Sequence, residues 1–498
     1  MATAPGSGTI SLRQIPRRDF LVLLAILVAA AILRVVGLDA PLWHDEILTL
    51  TRHVRLPWSD MLSTYSMNFH YLFSMQAKAA VSAFGETPWA LRLPAVVFGV
   101  AGIAAVWVLA RIHVGTAQAH AAALLLALSF HHIWFSQNAR GYTELMFWST
   151  LGTILFLAGL ERPGFRIWAA FGVTLALAVF THLTGAFFFL ALAIVGLIRL
   201  AVLASQGRAL RADLLMPLAG FLIGGVLSLV FYAPVLPGVI ENAMTVSQTS
   251  AVDPMKEYQN PLWTVVEAVR TLIGDTGGLA LLVGALVAAL LVVGSAGLAS
   301  RVPLLAPVAF THIVLTMALL SALGMRIWPR FFFVDIGLLM LLIVQGVHVC
   351  CVPLAALARR VLGGWWTAGR LFAVAALAML AISAALAARN YRAPKQNLAG
   401  AWALVEAQRR PDDKVLILGV VDVDYRSYFG ADWTPVPEGA DLARQMSATG
   451  RTWIVMGFPG RTFRQYAREL PFIERQFRLA KEFPGTLGDG NVLVYVTR

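Results

Sequence analysis

The chain has 498 residues, of which 58% are hydrophobic and only 13% are charged. So few charges could not cover the surfaces of the two or three soluble domains that this length would allow, and the composition therefore indicates an integral membrane protein. The net charge of +12 is divided among short basic clusters between apolar runs, with no single basic face, which argues against a nucleic-acid partner.

Eleven apolar stretches are long enough to cross about 30 Å of hydrocarbon. They lie near residues 19–38, 91–111, 118–135, 143–160, 167–181, 184–204, 214–234, 277–299, 303–323, 331–353 and 368–388. The first stretch follows Arg13, Arg17 and Arg18, a pattern that would also suit a signal peptide. Because no small-residue cleavage site precedes a soluble region, we predict an uncleaved first helix.

The arginines between the apolar stretches predict the orientation of the chain. If the N-terminus is cytoplasmic, alternate loops place most of them inside, as the positive-inside rule requires. These residues are Arg111, Arg162, Arg166, Arg199, Arg208, Arg211, Arg301, Arg359, Arg360 and Arg370. We therefore predict a transmembrane domain at 1–388 with long outer loops at about 39–90 and 235–275, and a periplasmic domain at 389–498, in a bacterial inner membrane.

The C-terminal segment changes character and predicts a small α/β domain. Its predicted elements are a helix at 399–409, strands at 414–418 and 451–456, a helix at 462–477 and a closing strand at 491–496. The glycine-bearing turn at 485–490 is not a phosphate loop, because no helix follows it. The adjacent Cys350 and Cys351 lack the geometry of a disulfide and the spacing of a metal site, and we interpret them as packing residues.

Two neighbouring carboxylates, Asp45 and Glu46, follow the first apolar stretch in the sequence Trp43-His44-Asp45-Glu46. A partly desolvated carboxylate beside a second one could act as a general base. The alternative is a solvated pair that caps a helix.

Two further clusters combine arginines with aromatic residues at a predicted membrane boundary. In Arg140-Gly141-Tyr142-Thr143-Glu144, Arg140 could hold a phosphate, or it could form an intrahelical ion pair with Glu144. In Arg326-Ile327-Trp328-Pro329-Arg330, the two arginines could neutralise a phosphate, whereas the aromatics would equally suit interface anchoring. Outward arginines run against the positive-inside bias, which favours a functional reading of this cluster.

Several histidines map to the outer half of the chain. They are His44, His53, His70, His131, His132 and His182. Imidazole and carboxylate together are compatible with a divalent cation, but no recognised ligand spacing is present. We therefore predict no defined metal site and no firm cofactor, and we interpret His44, His70 and His182, with Tyr142 and Glu144, as candidates for lining a cavity.

Taken in order, these motifs resemble the GT-C-type membrane glycosyltransferases, specifically the protein O-mannosyltransferase and aminoarabinose-transferase-like superfamily. The resemblance covers roughly residues 10–355. It rests on the following segments: Trp43-His44-Asp45-Glu46, Trp89-Ala90-Leu91-Arg92-Leu93-Pro94, Ser136-Gln137-Asn138-Ala139-Arg140-Gly141-Tyr142, Thr181-His182 and Pro329-Arg330-Phe331. Many relatives also carry an Asn-Pro-Pro-Leu-like stretch in the first loop, where this chain has Asn68-Phe69-His70-Tyr71-Leu72.

The resemblance implies sugar transfer from a polyprenyl-phosphate carrier to a lipid, glycan or protein acceptor at the outer face, with inversion. It also implies that Asp45 is the catalytic carboxylate with Glu46 as its neighbour, and that Arg140 and Arg330, with Arg326 nearby, lie close to the donor phosphate. Two other readings stay open. A lipid or solute transporter would also need many helices, although no inverted repeat is visible, and a non-catalytic scaffold would keep the same shape.

Overall fold

The computed structural model describes residues 15–66, 69–246, 260 and 278–498. Arg13, Asn68 and most of the predicted outer loop at 235–275 lie outside the described residues. The longer helices of the membrane domain are Arg17–Val35, Tyr71–Phe84, Pro88–His113, Thr116–Leu128, Tyr142–Glu161, Phe165–Thr181, Gly185–Ser205, Arg211–Tyr232, Leu236–Val246, Gly278–Leu298, Leu305–Ala322, Ile336–Leu362 and Ala368–Ala387. Shorter helical segments are His44–Thr49, Leu50–Val54, Trp58–Ser63, Phe130–Ser136, Ala233–Val235, Pro329–Asp335 and Ala388–Tyr391.

The predicted fold class is confirmed: the protein is a helical membrane protein with a small C-terminal sheet domain. Among the described residues, eight helices have the length and apolar composition to cross a membrane, or nine if Thr116–Leu128 and Phe130–Ser136 form one bent span. The two remaining predicted spans are also helical. Arg17–Val35 carries four charged residues, and Phe165–Thr181 has only 17 residues, so neither meets the same test of length and composition.

Buried ion pairs mark the two ends of the helical bundle. At one end, Arg111 Nε lies 2.9 Å from Asp19 Oδ2, which brings the start of the first helix beside the end of Pro88–His113. At the other end, Arg92 Nη2 lies 2.6 Å from Glu46 Oε2. Because ionisable side chains are costly in an apolar environment, each pair fixes which helix ends meet.

The C-terminal domain is built on one five-stranded mixed sheet. Its strands are β1 (Lys414–Leu418), β2 (Thr434–Pro435), β3 (Thr452–Gly457), β4 (Phe477–Phe483) and β5 (Val492–Thr497). The order is β2-β1-β3-β5-β4, with β1 parallel to both β2 and β3 and the other pairs antiparallel. The helices of the domain are Leu398–Gln408, Asp424–Tyr428, Leu442–Gln445, Pro459–Gln465 and Leu470–Gln476.

The prediction for the end of the C-terminal domain was wrong in one respect. The predicted helix at 462–477 is two short helices, Pro459–Gln465 and Leu470–Gln476, followed by the unpredicted strand β4. A register shift between Leu479 and Lys481 interrupts the alternation of buried and exposed residues in β4, and the strand lies at the sheet edge. Its sequence therefore lacks the regular two-residue period that identifies a half-buried strand.

Helices Gly278–Leu298 and Ile336–Leu362 approach each other closely at glycines. A Cβ atom added to Gly294 would collide with the carbonyl oxygen of Leu342, and one added to Gly346 would collide with that of Leu290. Small residues permit this approach, as is common between membrane helices.

We expect Gly294→Ala to lower the free energy of unfolding by about 1–3 kcal/mol, because the backbone contact leaves no room for a methyl group. Thermal unfolding in detergent measures the change. The matched control is Gly225→Ala, since no atom lies within 4 Å of the Cβ position of Gly225. Equal stability of the two variants would contradict the close packing of these helices.

Candidate active site

The predicted site residues come together at one end of the bundle because each lies at or near a helix end. Asp45 is in the first turn of His44–Thr49, Arg140 lies two residues before the start of Tyr142–Glu161, and Arg330 is in the first turn of Pro329–Asp335. His70 precedes Tyr71–Phe84, and His182 follows Phe165–Thr181. Segments more than 280 residues apart in the chain thus contribute to one cluster.

The centre of the cluster is the Asp45 carboxylate between two guanidinium groups. Asp45 Oδ2 lies 3.4 Å from Arg330 Nη1 and 4.0 Å from Arg140 Nη1. The Asp45 side chain keeps 14% of its surface exposed, whereas that of Arg140 keeps 2%. Burial alone would raise the pKa of Asp45, but the charges of Arg140 and Arg330, with His44, outweigh it and hold that pKa below its usual value.

Aromatic and imidazole rings surround this charged centre. The His70 ring lies 4.8 Å from the Tyr142 ring and 4.5 Å from the His182 ring, measured between centroids. His182 Nδ1 contacts Thr184 Oγ1 at 2.7 Å, and its ring lies 5.8 Å from Phe331. His70 is buried, and within the part of the chain that the structure describes neither of its ring nitrogens has a hydrogen-bond partner.

The backbone at Gly141 permits this packing. A Cβ atom there would lie 2.7 Å from Thr181 Cγ2 and 3.0 Å from His70 Nδ1, both closer than van der Waals contact. Only glycine at this position lets the segment before Tyr142–Glu161 pass so close to the side chains of Thr181 and His70. The glycine thus places Arg140 and Tyr142 against His70.

Glu46 and Asp45 have separate environments although they are neighbours in sequence. The Glu46 carboxylate is fully buried and binds Arg92 through Nε at 2.7 Å and Nη2 at 2.6 Å. It also accepts hydrogen bonds from the backbone N–H groups of Ala139 at 2.8 Å and Trp43 at 3.3 Å. Glu46 therefore caps the helix His44–Thr49, whereas Asp45 faces Arg140 and Arg330.

The remaining candidates lie around this centre in different ways. Glu144 Oε1 accepts hydrogen bonds from Gln76 Nε2 at 2.8 Å and Trp148 Nε1 at 3.2 Å, while Arg140 is directed to Asp45. Arg326 is half-buried in the segment before Pro329–Asp335. His44 is turned toward the C-terminal domain, where Nδ1 lies 2.7 Å from Asp424 Oδ2. No cluster of three potential metal ligands is present among the described residues.

Sequence reasoning gave no role to Arg92, Lys395, Gln396 or Asp424. Arg92 carried a usable signal, because it is an arginine at the start of a predicted span that the predicted topology puts on the outer side, against the charge bias. Lys395, whose ammonium group donates to the Gln137 carbonyl, and Gln396, which accepts from the His44 N–H, lie in the connection to the C-terminal domain. Nothing in their local sequence shows that this connection returns to the first loop.

Comparisons with known proteins agree with the predicted resemblance. The family model for dolichyl-phosphate-mannose-protein mannosyltransferase matches residues 72–237, about a third of the chain. A comparison with curated protein sequences gives no match. The structure is similar to that of ArnT from Cupriavidus metallidurans bound to undecaprenyl phosphate, with 13% identity and a TM-score of 0.53 over 96% of this chain and 97% of ArnT.

The apo structure of the same ArnT gives 14% identity and a TM-score of 0.55 over 96% of this chain and 98% of ArnT. The similarity spans both the helical domain and the C-terminal sheet domain, since nearly the whole of each chain is covered. The resemblance to the GT-C-type membrane glycosyltransferases is thus confirmed, and the protein has their fold.

The buried pair of Glu46 and Arg92 predicts a difference between two similar substitutions. We expect Glu46→Gln to lower the free energy of unfolding by about 3–5 kcal/mol, because it leaves the buried Arg92 charge without its carboxylate. The matched control is Glu86→Gln, which breaks a 2.7 Å pair with Arg55 that is 38–43% exposed and should cost at most about 1 kcal/mol. Thermal unfolding in detergent measures both, and equal losses would refute a structural role for Glu46.

Proposed function

We propose that the protein transfers a sugar from a polyprenyl-phosphate-linked donor to a hydroxyl group of a lipid, glycan or protein acceptor at the outer face of the membrane. Asp45 is the general base, and Arg140 and Arg330 bind the donor phosphate. The observation that carries this proposal is the position of the Asp45 carboxylate between the two guanidinium groups. The fold and the mannosyltransferase family model support the same reaction class.

The two arginines suit the leaving group of this reaction. When the bond between the sugar C1 and the phosphate oxygen breaks, the electron pair stays on the phosphate and its negative charge grows. Guanidinium groups bind phosphate oxygens through charge-assisted hydrogen bonds and stabilise that charge. ArnT, with the same fold, has been solved with undecaprenyl phosphate, which supports a polyprenyl phosphate as the carrier.

Asp45 suits the acceptor side of the reaction. It takes the proton of the acceptor hydroxyl as the oxygen attacks C1 from the face opposite the phosphate, so the anomeric configuration inverts. In the structure its pKa is held low by the arginines, which makes it a weak base. A bound phosphate competes for the same guanidinium groups, and Asp45 should then become a stronger base only when the donor is present.

His70, His182 and Tyr142 are proposed to contact the sugar. Their rings lie around the charged centre. Among the described residues the ring nitrogens of the buried His70 have no hydrogen-bond partner, and sugar hydroxyls can supply one. Glu46 is proposed as a positioning residue that holds the loop of Asp45 without touching the reacting atoms.

We expect Asp45→Asn to reduce transfer by about a hundredfold or more, because an amide has the shape of the carboxylate but cannot accept the proton. Donor binding should be retained, since the arginines lose a competing carboxylate. Turnover and donor affinity are measured at equal protein abundance, with the exposed Asp60→Asn as the control. Near-normal transfer by Asp45→Asn would remove Asp45 as the base.

We expect Arg330→Ala to raise the donor KM and to lower kcat, because the phosphate loses a ligand both in the bound state and in the transition state. Arg330→Lys should restore part of the loss, since an ammonium group keeps the charge but loses the planar fork. Steady-state kinetics with a polyprenyl-phosphate sugar measure both effects. Arg162→Ala, at the far end of the helix Tyr142–Glu161, is the control. Normal donor use by Arg330→Ala would place the phosphate elsewhere.

A further inference from the structure

The C-terminal domain contacts the proposed catalytic loop with the carboxyl ends of two parallel strands. Asp424 lies in the segment that follows β1, and Phe458 follows β3 directly. Both residues contact His44, which adjoins Asp45 in sequence: the Phe458 ring lies 5.5 Å from the His44 ring in a near-perpendicular arrangement. The carboxyl ends of parallel strands are the usual location of functional residues in α/β sheets.

Phe458 is held in an unusual backbone conformation at this contact. Its φ angle is 51°, and among the described residues it alone has a positive φ without being glycine. Such a conformation persists where the surrounding structure requires it. It marks the contact between β3 and His44 as a constrained part of the fold.

The bond between His44 and Asp424 joins the two domains electrostatically. His44 Nδ1 lies 2.7 Å from Asp424 Oδ2, and the Asp424 side chain has no exposed surface. Within the described residues, the second oxygen of Asp424 has no hydrogen-bond partner. Burial raises the pKa of Asp424, and the charge and hydrogen bond of His44 oppose that rise, so the ionised carboxylate and a positive charge on His44 stabilise each other.

Three charged side chains act on the His44 imidazole from the elements around it. They are Asp424 after β1, Asp45 on the same helix and Arg461 on Pro459–Gln465. Burial alone would lower the pKa of His44, but the two carboxylates outweigh burial and the opposing Arg461, and the pKa is raised. The imidazolium in turn helps to keep the pKa of Asp45 low.

We propose that Asp424 is a positioning residue for the transfer reaction: it holds His44 in one orientation as a cation beside Asp45, so that the C-terminal domain completes the active site. This inference rests on the proposed function. With Nδ1 bound to Asp424, only Nε2 of the ring is left for another partner. His44 then supplies a third positive charge near Asp45, in addition to those of Arg140 and Arg330, and this charge depends on a residue about 380 positions away.

The test is a double-mutant cycle with Asp424→Asn and His44→Asn. Asp424→Asn should lower kcat about tenfold or more and leave the donor KM unchanged, because the charge that develops on the leaving phosphate loses a third cation, a loss that outweighs the higher basicity of Asp45. His44→Asn keeps a hydrogen-bond donor in the position of Nδ1 but removes the charge, and should lower kcat to a similar extent. The double variant should be no slower than His44→Asn, because Asp424 acts through His44.

The pH profile separates this role from a merely structural one. The acidic limb of kcat/KM reflects loss of the Asp45 carboxylate as the pH falls through its pKa. Removing the positive charge of His44 raises that pKa, so the limb should move to higher pH in both single variants. The control is Asp413→Asn, which alters a buried carboxylate of the same domain that pairs with Arg451 at 2.8 Å and should leave the limb in place.

The outcomes distinguish the two proposals. If the wild type turns over no polyprenyl-phosphate sugar, the proposed function fails and the positioning role fails with it. If the wild type is active but Asp424→Asn has a normal kcat and an unmoved limb, or if its loss adds to that of His44→Asn, only the positioning role is overturned. If Asp424→Asn fails to fold, the acidic limb of the kcat/KM profile of His44→Asn is measured instead, because that variant keeps the bond between the domains. An unmoved limb would then overturn the positioning role.

Discussion

The site depends on one buried guanidinium group. Arg92 forms five hydrogen bonds: two to the Glu46 carboxylate, and the others to the carbonyl oxygens of Leu38, Ala40 and Pro41. These bonds use all five N–H donors of the arginine, so that a charge with 1% of its surface exposed is fully satisfied. Removing Glu46 would leave an uncompensated charge in an apolar surrounding.

That interaction joins three of the segments on which the family resemblance rests. Glu46 belongs to the first loop, Arg92 opens the helix Pro88–His113, and Ala139, whose N–H binds Glu46, precedes Arg140. The Trp43 indole adds a 3.1 Å bond to Asn138 Oδ1 between the first and third of these segments. Asp45 directly precedes Glu46 in sequence, and Arg140 directly follows Ala139. Because Glu46 and Ala139 are bonded to each other, Asp45 and Arg140 are also brought close together.

In the proposed reaction, the charged centre and the membrane would serve the same chemistry. A polyprenyl carrier is soluble only in lipid, whereas its phosphate and sugar need a polar environment, so a site at the end of the bundle can meet both. The burial of Arg140, whose side chain keeps 2% of its surface exposed, would strengthen the electrostatic interactions between Asp45, the arginines and a bound phosphate. The exchange of a carboxylate for a phosphate on the arginines would link donor binding to activation of the base.

Sequence patterns predicted the fold class and the residues of the charged centre, but not the network that holds them. Hydropathy located the helices because each needs a long apolar segment. Arg140 and Arg330 were identified because the predicted topology puts them on the outer side, against the charge bias. The burial of Glu46 against Arg92 was not predicted, since adjacent carboxylates differ in the sequence only in the direction that each side chain takes from the helix. The bond from His44 to Asp424 joins residues about 380 positions apart, and no local period or motif indicates such a contact.

The most direct measurement of the central claim is mass spectrometry of the carrier after purified protein is incubated with a panel of polyprenyl-phosphate sugars. The account predicts that at least one sugar is lost from its carrier, with release of polyprenyl phosphate and formation of a glycoside of opposite anomeric configuration. Intact carrier with every sugar would contradict it. Movement of an unchanged donor across the bilayer of a proteoliposome would instead identify a transporter.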